Sequence, residues 1–175
     1  MSYLKESDLR GYAQSAQKIQ EARTYIVKAT YEASKTVFLS HSHKDKDLAQ
    51  GLVNYLAGLG IKLYVDWQDS GMPRITDRKT AENIKKKISD LSYFLILATP
   101  NALNSRWVPW EIGVADQVKV PERIAVIPVV DQSGKFEGNE YLQLYNRVEA
   151  DNFGKLLVFE KSQTYSSNDI KAWLK

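Results

Sequence analysis

The chain has no cysteine, and this absence removes two kinds of site at once. Without thiols there is no disulfide bond and no thiolate ligand for a metal ion. Long apolar runs are also absent, since no stretch approaches the roughly 20 apolar residues of a membrane-spanning helix. The opening segment MSYLKESDLRGYAQ is charged and lacks an apolar centre, so we expect no secretory signal there. Together these absences predict a cytoplasmic protein that makes no membrane contact.

Neither sign of charge dominates the sequence. The 24 Lys and Arg residues and the 21 Asp and Glu residues leave a formal net charge of +3. The one lysine run, Lys85 to Lys87, is typical of a solvated helix face rather than of a phosphate-binding patch. We therefore predict no nucleic-acid partner. A chain of 175 residues is long enough for one domain with a substantial core.

The hydrophobic period changes at residue 36. Apolar residues between positions 4 and 33 recur at helical spacing, and no proline interrupts them. The run TVFLS (36–40) is instead typical of a buried strand. We therefore divide the chain into an N-terminal helical extension, residues 1–35, and a domain formed by residues 36–175.

Short apolar runs alternate with helical patterns through the rest of the chain. The predicted strands are TVFLS (36–40), IKLYVD (61–66), SYFLILAT (92–99), RIAVIPVV (123–130) and LLVFE (156–160). The predicted helices cover residues 45–59, 81–89, a segment that starts near 105, 141–148 and 168–174. Such alternation predicts a three-layer α/β sandwich, a five-stranded parallel sheet with helices on both faces.

Polar and aromatic residues follow the first three predicted strands. The segments are SHSHKDKD (40–47), DWQDSGMP (66–73) and TPNALNSRWVPWE (99–111). In open parallel sheets, ligands bind beyond the carboxyl ends of the strands, where the strand order reverses. If the order is 2-1-3-4-5, these segments meet at one crevice. Residues 67–80 show neither period and form a long loop, which we interpret as functional.

Trp107 and Glu111 are four residues apart and share one face of the predicted third helix. Ser105 is placed to cap this helix, and Pro109 falls near its first turn, where proline is tolerated. A glutamate at this point also suits the positive end of the helix dipole, and a tryptophan suits the core. The pair is therefore compatible with packing plus a solvated charge, or with a pocket for a flat ring and a ribose.

Several residues at the strand ends have alternative interpretations. His41 and His43 are the only histidines, and two ligands without a third argue against a metal site. Asp66 suits a ribose hydroxyl or a loop cap, and Trp67 suits adenine stacking or loop anchoring. Asp45 is assigned to the start of the following helix. No glycine-rich phosphate loop and no nucleophile elbow is present, which disfavours a dinucleotide-binding Rossmann domain, phosphotransfer and serine hydrolysis.

Two segments resemble the TIR domain family. VFLSHSHKDKDLAQGLVNYLAGLGIKLYVD is similar to the first conserved box of TIR domains. SRWVPWEIG is similar to the bacterial TIR segment in which a tryptophan precedes the catalytic glutamate by four residues. The resemblance covers about residues 36–130, extends more weakly to 175 and implies a flavodoxin-like fold with sheet order 2-1-3-4-5. Stand-alone bacterial TIR proteins of this size resemble the signal-producing component of Thoeris-type antiphage defence systems.

This resemblance implies cleavage of NAD⁺ at the nicotinamide–ribose bond. Glu111 is then the expected catalytic residue, with Trp107, Ser40, His41, Asp66 and Trp67 as the expected substrate-binding residues. NAD⁺ is the substrate, so neither a cofactor nor a metal is expected. The product is linear or cyclic ADP-ribose, the cyclic form being favoured, and a downstream effector is expected to sense it. The resemblance also implies homo-oligomerisation on activation, with movement of the 67–80 loop.

Two other functions remain open. Many TIR domains act as adaptors that self-associate through the loop after the second strand, without turnover. The Trp107–Glu111 pair favours the enzyme, because an adaptor has no need of it. A nucleoside-processing glycosyl transferase also uses a glutamate on ribose, but it would accept a free nucleoside.

Overall fold

A mixed sheet of eight strands forms the centre of the part of the chain that the structure describes. This structure is a computed structural model that describes residues 2–15, 36–69, 78–131, 133–136, 138–161 and 167–174. The strands are β1 (Leu4–Lys5), β2 (Thr36–Ser40), β3 (Lys62–Tyr64), β4 (Tyr93–Ala98), β5 (Ile124–Val130), β6 (Asn146–Ala150), β7 (Leu156–Phe159) and β8 (Ser167–Asp169).

The helices connect these strands. The helix α1 is described over residues 6–15. The others are α2 (Lys46–Gly58), α3 (Arg78–Asp90), α4 (Pro100–Leu103), α5 (Val108–Val118) and α6 (Ile170–Trp173). Short 3₁₀ turns lie at His43–Asp45, Asp66–Gln68, Pro121–Arg123 and Glu140–Leu144. Helices thus follow β2, β3 and β4 in the chain, as the alternation of patterns predicts.

The predicted order of the first four strands is confirmed. The sheet runs β3-β2-β4-β5-β6, and each neighbouring pair along this path is parallel. The order reverses at β2, whose two neighbours are β3 and β4. The carboxyl ends of β2 and β4 therefore open onto the crevice expected at such a switch point.

The prediction for the fifth strand is wrong. Residues 141–148, predicted as a helix, contain a 3₁₀ turn followed by β6, which takes the fifth parallel position. The predicted fifth strand is β7, and it pairs antiparallel with β6. Only five residues, 151–155, join β6 to β7, which suits a reversal of direction and is too short for a parallel crossover. β8 adds a further antiparallel strand, so the sheet is mixed rather than wholly parallel.

Two apolar clusters cover the two faces of the sheet and make the three-layer sandwich. Successive residues of each strand point to opposite faces, so Leu39 joins one cluster and Phe38 the other. The first cluster includes Leu48, Leu52 and Leu56 of α2. The second includes Ile84 and Ile88 of α3 with Ile112 and Ala115 of α5. Every residue of β4 and β5 is buried, as their uninterrupted apolar sequences predict.

The described start of the chain packs on this sandwich. The predicted continuous helix from residue 4 is wrong at its beginning, because Leu4 and Lys5 pair in parallel with the end of β5. Leu9 of α1 is 1% exposed and belongs to the cluster on the α2 face. A Cβ on Gly51 would lie 1.9 Å from the carbonyl oxygen of Leu9, so glycine permits this close approach. Residues 16–35 lie outside the described part, and the proposed boundary at residue 36 stays a prediction.

The segments around the crevice differ in detail from their predictions. PNALN, predicted as a turn, contains the short helix α4, which Thr99 caps by accepting a bond from the Ala102 amide. Ser105 acts as predicted, since its Oγ accepts bonds from the amides of Trp107 and Val108 at 3.1 and 3.4 Å. The helix predicted over 81–89 extends over Arg78–Asp90. Residues 70–77 of the predicted loop lie outside the described part.

Candidate active site

A short hydrogen bond joins the end of β2 to the first turn of α5. The Oγ of Ser40 donates to the Oε2 of Glu111 at 2.5 Å. Ser40 is 0% exposed and Glu111 is 6% exposed, so the bond is shielded from water. Two predicted site residues, 71 positions apart in the sequence, are therefore in direct contact. Ser40 orients the carboxyl through this bond, and its assignment to substrate binding stays a prediction.

The pKa of Glu111 is shifted from its ordinary value toward neutral pH. Burial raises the pKa of Glu111 to about 8, and the negative charge of Asp66 also raises it. The hydrogen bond from Ser40 opposes this rise, because it favours the carboxylate. With this pKa the carboxyl is mostly protonated at neutral pH. A positive group placed beside it would favour ionisation.

His41 lies under Trp67 and is held as a neutral imidazole. Its Nδ1 lies 3.2 Å from the carbonyl oxygen of Leu39, and since a carbonyl only accepts, Nδ1 carries the hydrogen. Burial lowers the pKa of His41, against the opposing effect of Asp66. The ring of Trp67 stands edge-on to His41, with 4.4 Å between the ring centroids. The Nε2 of His41 is buried and has no hydrogen-bond partner within the described residues.

Asp66 lies between the two histidines, just beyond the end of β3. Its Oδ2 is 3.0 Å from the Nε2 of His43, and its Oδ1 is 3.8 Å from the Nε2 of His41. The hydrogen bond to Asp66 raises the pKa of His43. Burial pushes the pKa of Asp66 upward, but the bond from His43 and the influence of both histidines outweigh it and lower this pKa. Asp66 is therefore an anion that orients His43, a role that the sequence interpretation did not assign to either residue.

Trp107 and Trp110 lie on one face of the sheet, and Trp67 lies on the other. Trp107 and Trp110 meet edge to face at 5.3 Å, and both pack against the cluster that contains Phe38 and Ile112. Trp67 packs against the other cluster, with the Nζ of Lys46 5.4 Å from its ring centre. The amide of Glu111 donates to the carbonyl oxygen of Trp107 at 2.8 Å, which keeps this pair on one side of α5. The assignment of Trp107 and Trp67 to a substrate stays a prediction.

The buried Asp45 joins two loops through side-chain hydrogen bonds, a role that the sequence did not predict. Asp45 sits at the start of α2 as expected, but its carboxylate makes no capping bond there. It accepts bonds from the Oγ1 of Thr99 at 2.5 Å and from the Nδ2 of Asn101 at 2.7 Å. The loop after β2 is thereby tied to the loop after β4. A helix-start aspartate carries no sequence signal for such a contact, because the partners are more than 50 positions away.

Within the described ranges, no group of three or more His, Cys, Asp or Glu side chains is arranged to hold a metal ion. No helix among those ranges is long and apolar enough to cross a membrane.

Comparison with known proteins identifies the family. The family model described as TIR domain matches residues 37–157, and the chain belongs to this family. It is 34% identical over 134 residues to the probable 3′ cyclic ADP-D-ribose synthase ThsB′ of Bacillus cereus (strain MSX-D12), covering 72% of this chain and 68% of that protein. It is 32% identical over 85 residues to the putative cyclic ADP-D-ribose synthase TIR2 of Cytobacillus dafuensis, covering 47% of this chain and 22% of that protein. The family predicted from the two sequence segments is confirmed.

Proposed function

We propose that this chain is an enzyme of antiphage defence that cleaves NAD⁺ at the nicotinamide–ribose bond and closes the ADP-ribose into a cyclic signalling nucleotide. The observation that carries the proposal is the buried Glu111, held by Ser40 at the carboxyl end of β2, which pairs with β4. The similarity to a relative named as a 3′ cyclic ADP-D-ribose synthase supports it.

One carboxylate is sufficient for the bond cleavage. Many glycosidases need a second carboxyl group to protonate a poor leaving group. Nicotinamide departs from NAD⁺ as a neutral ring and needs no proton. The ionised Glu111 stabilises the positive charge that develops on the ribose, and such preorganised stabilisation contributes on the order of 100-fold or more in rate.

The raised pKa of Glu111 suits this substrate. A carboxyl with a pKa of about 8 loses its proton more readily when a cation comes close. The pyridinium ring of NAD⁺ is such a cation. Its arrival beside Glu111 favours the charged form that the transition state requires.

Other residues predicted to bind the substrate contact it in this proposal. Trp107 forms an aromatic wall one turn before Glu111, where a cation–π contact with the pyridinium is worth about 0.5–2 kcal/mol. Asp66 and Trp67 lie beside His41, and in this proposal the three contact the ribose and adenine part. Two or more copies assemble on activation, and a separate effector senses the product in the cytoplasm.

The decisive experiment incubates the chain at high concentration with NAD⁺ and identifies the products by mass spectrometry. We expect free nicotinamide and a cyclic ADP-ribose. Glu111→Gln should fold and release no nicotinamide, whereas the matched control Glu122→Gln, at an exposed site, should behave as the wild type. Retained turnover in Glu111→Gln would show that Glu111 is not the catalytic residue.

A substrate panel separates the remaining alternatives. Cleavage of free nucleosides in preference to NAD⁺ would indicate a nucleoside glycosyl transferase. Concentration-dependent self-association with no turnover on any substrate would indicate an adaptor.

A further inference from the structure

Ring closure raises a question that Glu111 alone does not answer. When a ribose hydroxyl of the same NAD⁺ attacks the reacting carbon, its proton must leave. A positioned base accelerates such a transfer, and its pKa should lie near the working pH. If the chain closes the ring as proposed above, one of its side chains is expected to take this proton.

The structure offers two histidines beside Asp66, and they differ in access. The Nε2 of His41 is buried beneath Trp67. The side chain of His43 is 74% exposed at the end of β2, so a ligand in the crevice can reach it. Accessibility therefore selects His43.

The bond to Asp66 decides which nitrogen of His43 is available. The Nε2 of neutral His43 must carry the hydrogen in this bond, because the Asp66 carboxylate only accepts. Nδ1 then holds a lone pair. This is the arrangement in which a carboxylate orients an imidazole and stabilises it once it becomes positive.

We propose that His43, oriented by Asp66, is the general base that takes the proton of the ribose hydroxyl during ring closure. The bond between the reacting carbon and the nicotinamide nitrogen breaks, and its electron pair leaves with neutral nicotinamide. The hydroxyl oxygen of the adenosine ribose forms the new bond to that carbon. Its proton passes to the Nδ1 of His43 and then to solvent, so the reaction needs no partner besides NAD⁺.

Glu111 and the His43–Asp66 pair lie close enough to influence one another electrostatically. Ser40 contacts Glu111 on the side of the sheet that carries Phe38, whereas Trp67 packs on the opposite side. Asp66 nevertheless raises the pKa of Glu111 and His43 lowers it, so the three groups share one electrostatic environment.

The charged groups around His43 come from three elements. Asp66 follows β3 and raises the pKa of His43 most, through its hydrogen bond, and Glu111 of α5 raises it further. Partial burial and the positive charge of Lys46 on α2 lower it. The neighbouring His41 is neutral and stacks parallel to His43, with 6.1 Å between the ring centroids. The net result is a pKa above the usual histidine value.

The test measures the ratio of cyclic to linear product, because the ionisation of Glu111 affects both products through the shared cleavage step. In the wild type we expect this ratio to rise with pH as His43 loses its proton. In His43→Gln we expect nicotinamide release to persist, with its pH profile moved to higher pH because His43 lowers the pKa of Glu111. The ratio should fall by about 100-fold and lose its pH dependence.

A second variant distinguishes the proposed role from a structural one. Asp66→Asn removes the charge that raises the pKa of His43, so the rise of the ratio should move to lower pH. A merely structural aspartate would leave that midpoint in place. Lys44→Gln, at an exposed residue of the same turn, is the matched control and should change neither the ratio nor its midpoint.

The outcomes separate this inference from the proposed function. Absence of nicotinamide release in the wild type would overturn the proposed function. Normal nicotinamide release with an unchanged product ratio in His43→Gln would overturn the base assignment alone. A folded His43→Gln variant that releases no nicotinamide would also overturn it, since the base is assigned to ring closure only.

Discussion

The hydroxyl of Ser40 and the carboxyl of Glu111 lie 2.5 Å apart, both buried, at the point where β2 ends and α5 begins. The hydrogen bond holds Oε2 and favours the carboxylate, while burial favours the acid. The balance between these two effects sets the pH at which Glu111 becomes charged.

Ser40→Ala should move the pH profile of nicotinamide release to higher pH. A hydrogen bond to a charged group is worth about 1.5–3 kcal/mol, which corresponds to a shift of about 1–2 pH units. Initial rates measured from pH 6 to about pH 10 test this. Ser42→Ala is the matched control, because the hydroxyl of Ser42 accepts a bond from the Lys44 amide and does not touch Glu111. An unshifted profile in Ser40→Ala would show that Ser40 does not tune the carboxyl.

Glu111 should make the folded state less stable as pH rises. Its pKa in the fold is about 8 against 4.5 when unfolded, so between these values the folded state holds a proton that the unfolded state lacks. The free energy of unfolding should fall by about 1.4 kcal/mol per pH unit in this window. Glu111→Gln lacks this dependence, so its stability relative to the wild type should increase from pH 5 to pH 8. Urea denaturation of both proteins across this range provides the measurement, and parallel curves would contradict it.

Asp45→Ala should loosen the connection between the two crevice loops. It removes the acceptor for Thr99 and Asn101 and leaves the buried hydroxyl of Thr99 without its acceptor, at a cost of about 1–3 kcal/mol. Nicotinamide release should also fall, because the loop after β4 leads into the turn that positions Glu111. Asp47→Ala, at an exposed aspartate paired with Arg10, should cost less than about 1 kcal/mol. Equal losses in the two variants would argue against a special role for Asp45.

Gly51→Ala should separate α1 from α2. The added methyl group would overlap the backbone of Leu9, and such overpacking costs about 1–3 kcal/mol. Gly58→Ala, where the methyl group meets nothing within 4 Å, is the matched control and should be neutral or slightly stabilising. Thermal unfolding and the rate of proteolysis near the N-terminus are the measurements. A neutral Gly51→Ala variant would show that the N-terminal residues do not pack on α2 in solution.

The strands that lie in the middle of the sheet were predictable because their sequences are apolar without interruption. YFLILA and IAVIPVV are buried on both faces, and a strand in that position has no polar side to interrupt the apolar pattern. β6, with sequence NRVEA, alternates buried and partly exposed residues over only five positions, which a short helix can imitate. The same ambiguity affected Leu4 and Lys5, whose pairing with β5 is not visible locally.

The sequence by itself determined the family and the order of the first four strands, and it singled out Glu111 as the candidate catalytic residue, because these depend on short motifs and on the hydrophobic period. Only the tertiary structure decided that Ser40 holds Glu111, that Asp66 orients His43 and that Asp45 joins two loops. Each of these contacts links residues more than 20 positions apart. Such pairs meet because parallel strands deliver their carboxyl ends to one edge of the sheet, and that adjacency is a property of the assembled sheet rather than of any single segment.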